Sequence, residues 1–328
     1  VTTDLDFAGA LVYAIPLRTR FRGIAVREGM LIEGPAGWGE FCPFADYDDA
    51  ESVSWLLAAV EQATRPPPPR LRDRIPVNCT VPAVDAERAH ELVAASGCTT
   101  AKVKVADHAG SLAEDLARVE AVRSALGAGG RVRVDANAAW DVPAAVRSLR
   151  LLDRMAGGLE YAEQPCRTLE ELAAVRRAVD VPIAADESIR RADDPLRVAV
   201  AGAADVAVIK GTPLGGAWRA LEVAAAAGLP CVVSSALETS VGLAGQLALA
   251  AALPELPYAC GLGTQSLFTG DVVADGASLR PVDGAIDVPA TPVAPDPARA
   301  AECRHPDPAR DHWWRHRLSR VATLAGVG

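Results

Sequence analysis

Residues 131–186 read RVRVDANAAWDVPAAVRSLRLLDRMAGGLEYAEQPCRTLEELAAVRRAVDVPIAAD. Three short apolar runs in this stretch, opening at Arg131, Leu159 and Val181, each end on an acid: Asp135, Glu163 and Asp186. The acids stand 28 and 23 residues apart with an Ala/Leu/Arg-rich amphipathic segment between each pair, which is the spacing of successive βα units. Parallel strands bring their carboxyl ends to one face of a closed sheet, so the three carboxylates would meet there. Three carboxylates in one place repel one another unless a cation sits among them.

The same alternation extends on both sides. Strands are predicted near 76–81, 100–105, 131–135, 159–163, 181–186, 205–210, 230–235 and 257–262, and helices at about 85–96, 111–127, 142–156, 168–179, 192–201, 215–227 and 240–253. Eight strands alternating with seven helices imply an α/β fold, a TIM-like (β/α)7β barrel whose last helix is degenerate or missing. Residues 1–74 read as the amino-terminal part of a smaller α+β capping domain. In it Gly29–Gly34 and Gly37–Phe41 form a hairpin around Pro35-Ala36, and a helix runs from Asp48 to Thr64. The run Arg65 to Arg70, with four prolines inside, stops that helix and makes a stiff connector. The barrel is expected over 75–284, and 285–328 as a segment packing back on the cap. That segment turns helical around His312–Leu318, with Trp313 and Trp314 as anchors.

Composition narrows the function. The 328 residues are 50% hydrophobic with a mean hydropathy of +0.14, yet no apolar run approaches the ~18 residues that span a bilayer. The first residues lack both a basic and an apolar region of an export signal, so a cytoplasmic protein is expected. Seven cysteines, at 42, 79, 98, 166, 231, 260 and 303, are odd in number and free of C-x-x-C spacing, against a disulfide framework or a zinc site. A formal charge of −9 disfavours nucleic acid and anionic membrane as partners and leaves a small molecule.

Lysines flank the acids. Lys102 and Lys104 are two apart on a predicted strand and so share a face, which in a barrel is the interior. Buried ammonium groups need anions nearby, and each disfavours the protonation of the other, so one can serve as a base. Lys210 ends the run Val206–Ile209; a strand-end lysine can be a Schiff-base nucleophile, a surface charge or an electrostatic stabiliser, and the carboxylate array favours the last. Taken singly, each acid could be a helix N-cap. Together, with no Cys or His beside them, they are hard donors that select Mg2+ or Mn2+. Asn137 and Glu187 are auxiliary candidates at the same strand ends.

Lys102-Val-Lys104, Asp135-Ala-Asn137, Glu163-Gln-Pro165, Asp186-Glu-Ser188 and Ile209-Lys210, in this order, resemble the enolase superfamily in its muconate-lactonizing branch. Ser234–Leu243, Gly261-Leu-Gly-Thr264 and Leu267-Phe268 are similar to the o-succinylbenzoate synthases within it, although many of these carry Asp where this chain has Gly263. The resemblance implies a carboxylate substrate held on a metal at Asp135, Glu163 and Asp186, with Lys104 as base and then acid and Lys210 facing it. The reaction implied is loss of water from a cyclohexadiene carboxylate. Ser235 and Glu238 would line the pocket by the same resemblance. A capping loop at Leu17–Arg22 is expected to bring Arg18, Arg20 or Arg22 to a second substrate carboxylate. Racemases or epimerases of N-acylated amino acids use the same apparatus, though the Asp-x-Asp of dipeptide epimerases is absent at Gly261-Leu-Gly263. A Schiff-base barrel aldolase is the alternative from a different chemical class.

Overall fold

The structure, a computed structural model, describes residues 5–190 and 202–327. Its amino-terminal lobe is a three-stranded antiparallel sheet in the order β1 (Asp6–Phe21), β2 (Ile24–Gly34), β3 (Gly37–Phe41), followed by a helix over Asp49–Thr64. That helix begins with a reciprocal cap: the Asp48 side chain accepts from Glu51 N while Glu51 reaches back to Asp48 N. The sequence hairpin is found as β2–β3. The expected capping loop at Leu17–Arg22 is not a loop. Leu17 to Phe21 complete β1, and Arg22 (φ 49°) and Gly23 (φ 79°) make the tight turn into β2. Pro16 hides this strand in the sequence, and it is tolerated because β1 is an edge.

The second unit is a parallel sheet in the order β5 (Cys79–Val81), β6 (Thr100–Lys104), β7 (Arg131–Asp135), β8 (Leu159–Glu163), β9 (Ile183–Ala185), β10 (Val206–Ile209), β11 (Cys231–Val233). The eighth position is only a two-residue rung rather than the 257–262 strand of the sequence reading. Cys260 bridges Val77 and Gly261 bridges Ser234, both parallel, which brings β11 round to β5. Four backbone hydrogen bonds of 2.7–2.9 Å hold this rung. No long helix follows it; a 3-10 turn at Gly263–Leu267 stands there. The predicted first strand also divides, since β4 (Arg74–Pro76) pairs with β12 (Ala285–Asp287) and only Cys79–Val81 joins the parallel sheet. The helix expected at 192–201 lies outside the described residues.

Two apolar clusters correspond to these units. The larger packs barrel strands against the surrounding helices; the smaller joins the cap sheet, its helix and the last helix, Pro308–Ala325. Trp314 is buried edge-on to Phe41 at 6.1 Å, as an anchor should be. Its indole N–H and Arg310 both donate to Glu28 Oε2, at 2.8 and 2.7 Å.

Partial burial raises the Glu28 carboxyl, but the Trp314, Arg310 and His305 contacts outweigh it and hold the group below its usual range. A depressed acid stabilises the fold above its unfolded value and ceases to do so as pH falls through the folded one. Glu28→Gln should therefore cost about 0.5–1 kcal/mol at pH 7, a modest amount because solvent reaches the pair. The gap to wild type should close as urea melts are repeated down through pH 4 to 3.

Candidate active site

The carboxyl ends of β6 to β10 carry the charged residues singled out in the sequence. Backbone register sets them side by side: Lys104 pairs with Asp135, Asp135 with Glu163, and Glu163 with Ala184, two residues before Asp186. All three acids are buried to 1% exposure. Lys102 Nζ donates to both Glu163 oxygens at 2.8–2.9 Å and lies 3.5 Å from Asp135. Lys104 Nζ donates to Asp135 Oδ2 at 2.5 Å and to Asn137 Oδ1 at 2.8 Å. From the far side, four strand positions round from β6, Lys210 Nζ donates to Asp186 Oδ2 at 2.7 Å.

These contacts govern ionisation. Burial and the adjacent Asp135 push the Glu163 carboxyl up to about 7, against the pull of Lys102. Asp135 goes the other way: burial raises it, but Lys104 and Lys102 together hold it well below the usual carboxylate range. Burial disfavours the charge on Lys102, yet Glu163 and Asp135 more than offset that and keep this amine protonated. Lys102 is thus a fixed countercharge. Lys104 is the more exposed of the two amines and lines both cavities.

An inner pocket of about 50 Å3 is lined by Lys102, Lys104, Asp135, Asn137, Glu187, Lys210 and Ser235, together with Phe44, Tyr47 and Trp55 of the cap. It shares Phe21, Arg22, Lys104, Asn137 and Glu187 with an outer cleft of about 890 Å3, which Arg20 also lines. The turns that aim these side chains are tight, with Asn137 at φ 46° and Gln164 at φ 39°. Gln164 fastens two of them, its Oε1 accepting from the amides of Asp186 and Ser188.

The remaining candidates differ in placement. Arg18 is exposed and lines neither cavity. Arg22 donates to Tyr47 Oη at 2.9 Å and lies 3.9 Å over Phe44. Glu238 is fully buried behind the wall, accepting from Ser235 Oγ, Ala236 N, Thr212 Oγ1 and Gln246 Nε2. Sequence reading missed the cap aromatics Phe44, Tyr47 and Trp55. Their one signal is a run of large rings from the end of the hairpin into the helix, Phe44 and Tyr47 before it and Trp55 within it.

As a donor set the acids fit a hard divalent ion: three buried carboxylates on adjacent strand ends, with no imidazole or thiol lining the pocket. Among the described residues no three acidic, histidine or cysteine side chains are gathered as a ready cage, each of these carboxylates being turned onto an ammonium. Lys102→Met would leave two buried carboxylates short of their countercharge. We expect it to lower stability by about 3–5 kcal/mol in a urea melt without divalent ions.

Residues 84–292 match the family model described as "Enolase C-terminal domain-like", and residues 12–63 that described as "Enolase N-terminal domain-like". An o-succinylbenzoate synthase from Thermobifida fusca is 61% identical over 307 residues, covering 94% of each chain. Muconate cycloisomerase from Pseudomonas fluorescens shares the fold with a TM-score of 0.75 at 22% identity, over 93% of this chain and 98% of that one. The L-Ala-D/L-Glu epimerase from Bacillus subtilis does so with 0.76 at 23%, over 90% of this chain and 100% of that one. Among the described residues no helix is long and apolar enough to cross a membrane. With both domain models matched and such identity over nearly its whole length, this chain belongs to the o-succinylbenzoate synthase family of the enolase superfamily, a family of lyases.

Proposed function

We propose that this enzyme dehydrates 2-succinyl-6-hydroxy-2,4-cyclohexadiene-1-carboxylate to o-succinylbenzoate in menaquinone biosynthesis, with Mg2+, or Mn2+ in its place, held by Asp135, Glu163 and Asp186. The observation that carries the reading is that Lys104 and Lys210 reach one inner pocket from strands on opposite sides of the barrel, with Asp135 in its lining and Glu163 and Asp186 bonded to lysines that line it. A bound divalent ion would supply fixed positive charge for carboxylate oxygens that gain electron density when the neighbouring C–H bond breaks.

The chain's own groups do the rest. Lys104, as the neutral amine, takes the proton from C1, and the C–H pair moves into the carboxylate to give an enediolate. Return of that pair forms the C1–C6 double bond as the hydroxyl leaves C6, and Lys104 returns the proton, so that water departs from the same face. Asn137 gives the amine a neutral partner besides Asp135. Lys210, kept near by Asp186, favours the enediolate by its charge. The ring becomes aromatic in the second step, so catalysis is needed mainly for the first.

The succinyl tail brings a second carboxylate. Arg22, between Phe44 and Tyr47 and shared by both cavities, is the cation best placed for it; Arg20 lines only the outer cleft. A second reading has a specific support. Amines on opposite sides of one pocket are also what inversion at an α-carbon needs, so racemisation of N-acyl amino acids could share the site. Deuterium entering such a substrate from solvent with inversion would establish it.

Incubation with the cyclohexadiene carboxylate should yield o-succinylbenzoate by mass, cease with EDTA and return with Mg2+ or Mn2+. Lys104→Ala should lower kcat by roughly 10^3-fold. Retained turnover in that variant would remove Lys104 as the base. Arg22→Gln should raise KM about tenfold, the size of one lost charged hydrogen bond, while Arg18→Gln leaves it unchanged. Unaltered kinetics in Arg18, Arg20 and Arg22 variants alike would dismiss the cationic tail site.

A further inference from the structure

Two charged side chains of the capping sheet are buried against the loop after β11, and neither belongs to the amine–carboxylate cluster. Arg27, on β2, is 2% exposed. Its Nε donates to Leu237 O at 2.8 Å, and its Nη2 donates to Ala236 O at 3.2 Å and to Cys42 O. The same guanidinium lies 4.4 Å from the centre of the Phe44 ring. Glu40, on β3, is equally buried and accepts from Thr239 Oγ1 at 2.6 Å, Thr239 N at 3.0 Å and Gly242 N at 2.9 Å.

These contacts grip both ends of one turn. Between them Leu237 stands at φ 65°, a conformation that a residue with a side chain keeps only where its surroundings enforce it. The turn is also part of the inner pocket: Ser235, Ala236 and Leu237 line it from the barrel side and Phe44 from the cap. Arg27 therefore ties together two walls that come from different domains. A cation with donors in several directions suits this task, since four carbonyls, those of Leu237, Ala236, Cys42 and Glu28, converge on it; a lysine ammonium could not stack on the ring as well.

We propose that Arg27 and Glu40 are positioning residues, which set the Ser235–Leu237 wall and Phe44 against the part of the substrate remote from the reacting carbon, its succinyl tail. This rests on the dehydration reading above and deepens it. Neither residue touches the reacting atoms. Their loss should loosen recognition of the tail and spare the chemistry at Lys104.

The test uses the full chain loaded with Mg2+ and two probes, o-succinylbenzoate and benzoate, which differ by the tail. In Arg27→Lys the Kd for o-succinylbenzoate should rise about tenfold, the size of one lost charged hydrogen bond, and that for benzoate by less than about twofold. For the diene substrate, KM should rise likewise with kcat nearly unchanged. Glu40→Gln, an isosteric change made on a different strand, should show the same selective loss. Equal weakening of both probes would reveal a merely structural role and overturn the inference, as would unchanged binding of both. If wild type turns over the diene while tail selectivity is intact in the variants, only this inference falls. If wild type has no turnover, the dehydration reading falls and takes this inference with it.

Discussion

Burying three carboxylates at neighbouring strand ends is the constraint on which the rest of this structure depends. Each acid alone would be costly to dehydrate, and placed together they repel as well. The barrel answers with three ammonium groups, two from one strand and one from the strand opposite, so that every acid has a countercharge. This explains a spacing that is otherwise odd in a barrel interior. Lys102 and Lys104 must share a face to reach Glu163 and Asp135, and a strand period of two gives them that face.

The cap meets the barrel through a different kind of contact. Its aromatic side chains close the inner pocket from above, while Arg27 and Glu40 reach the barrel's carbonyls and amides directly. Glu40 sits at the amino-terminal end of the helix Ser240–Ala252, where unpaired N–H groups and the helix dipole favour an anion. The neighbouring Glu238 spends its carboxylate on Ser235, Thr212 and Gln246, fixing the same wall from within the barrel. The pocket is therefore shared property of two domains, and its shape depends on how one is seated on the other.

How much of this the sequence could carry follows from the range of each interaction. The acids and lysines were legible because the barrel repeats a short unit, so phase along the chain becomes position around a ring. The edge strand β1 was not, since Pro16 reads as a strand breaker although it falls on the exposed phase of an alternation that runs from Tyr13 to Phe21. The eighth rung was legible in place but not in length: a strand is expected over 257–262, whereas the pairing, set by closure of the sheet, spans only Cys260 and Gly261. Arg27 and Glu40 were invisible for a further reason. Their partners lie about 200 residues away, and a charged residue within a cap strand reads as solvated until tertiary packing buries it. Glu238 was noticed for its motif, but only coordinates distinguish a carboxylate that lines a pocket from one that braces its wall.

Strand order also makes the three acids unequal. Asp135 has two amines within 3.5 Å, and Asp186 has Lys210. Glu163 occupies the middle strand, with an acid on either side and Lys102 as its close countercharge, and burial together with those acids pushes it up to about 7. The amines thus balance the cluster at its edges better than at its centre. A divalent charge taken up there would favour the ionised form of Glu163 most, because that group has the most repulsion to lose. The lysines and such a cation would then be complementary rather than redundant: the first make it possible to bury the acids during folding, and the second would relieve the middle one.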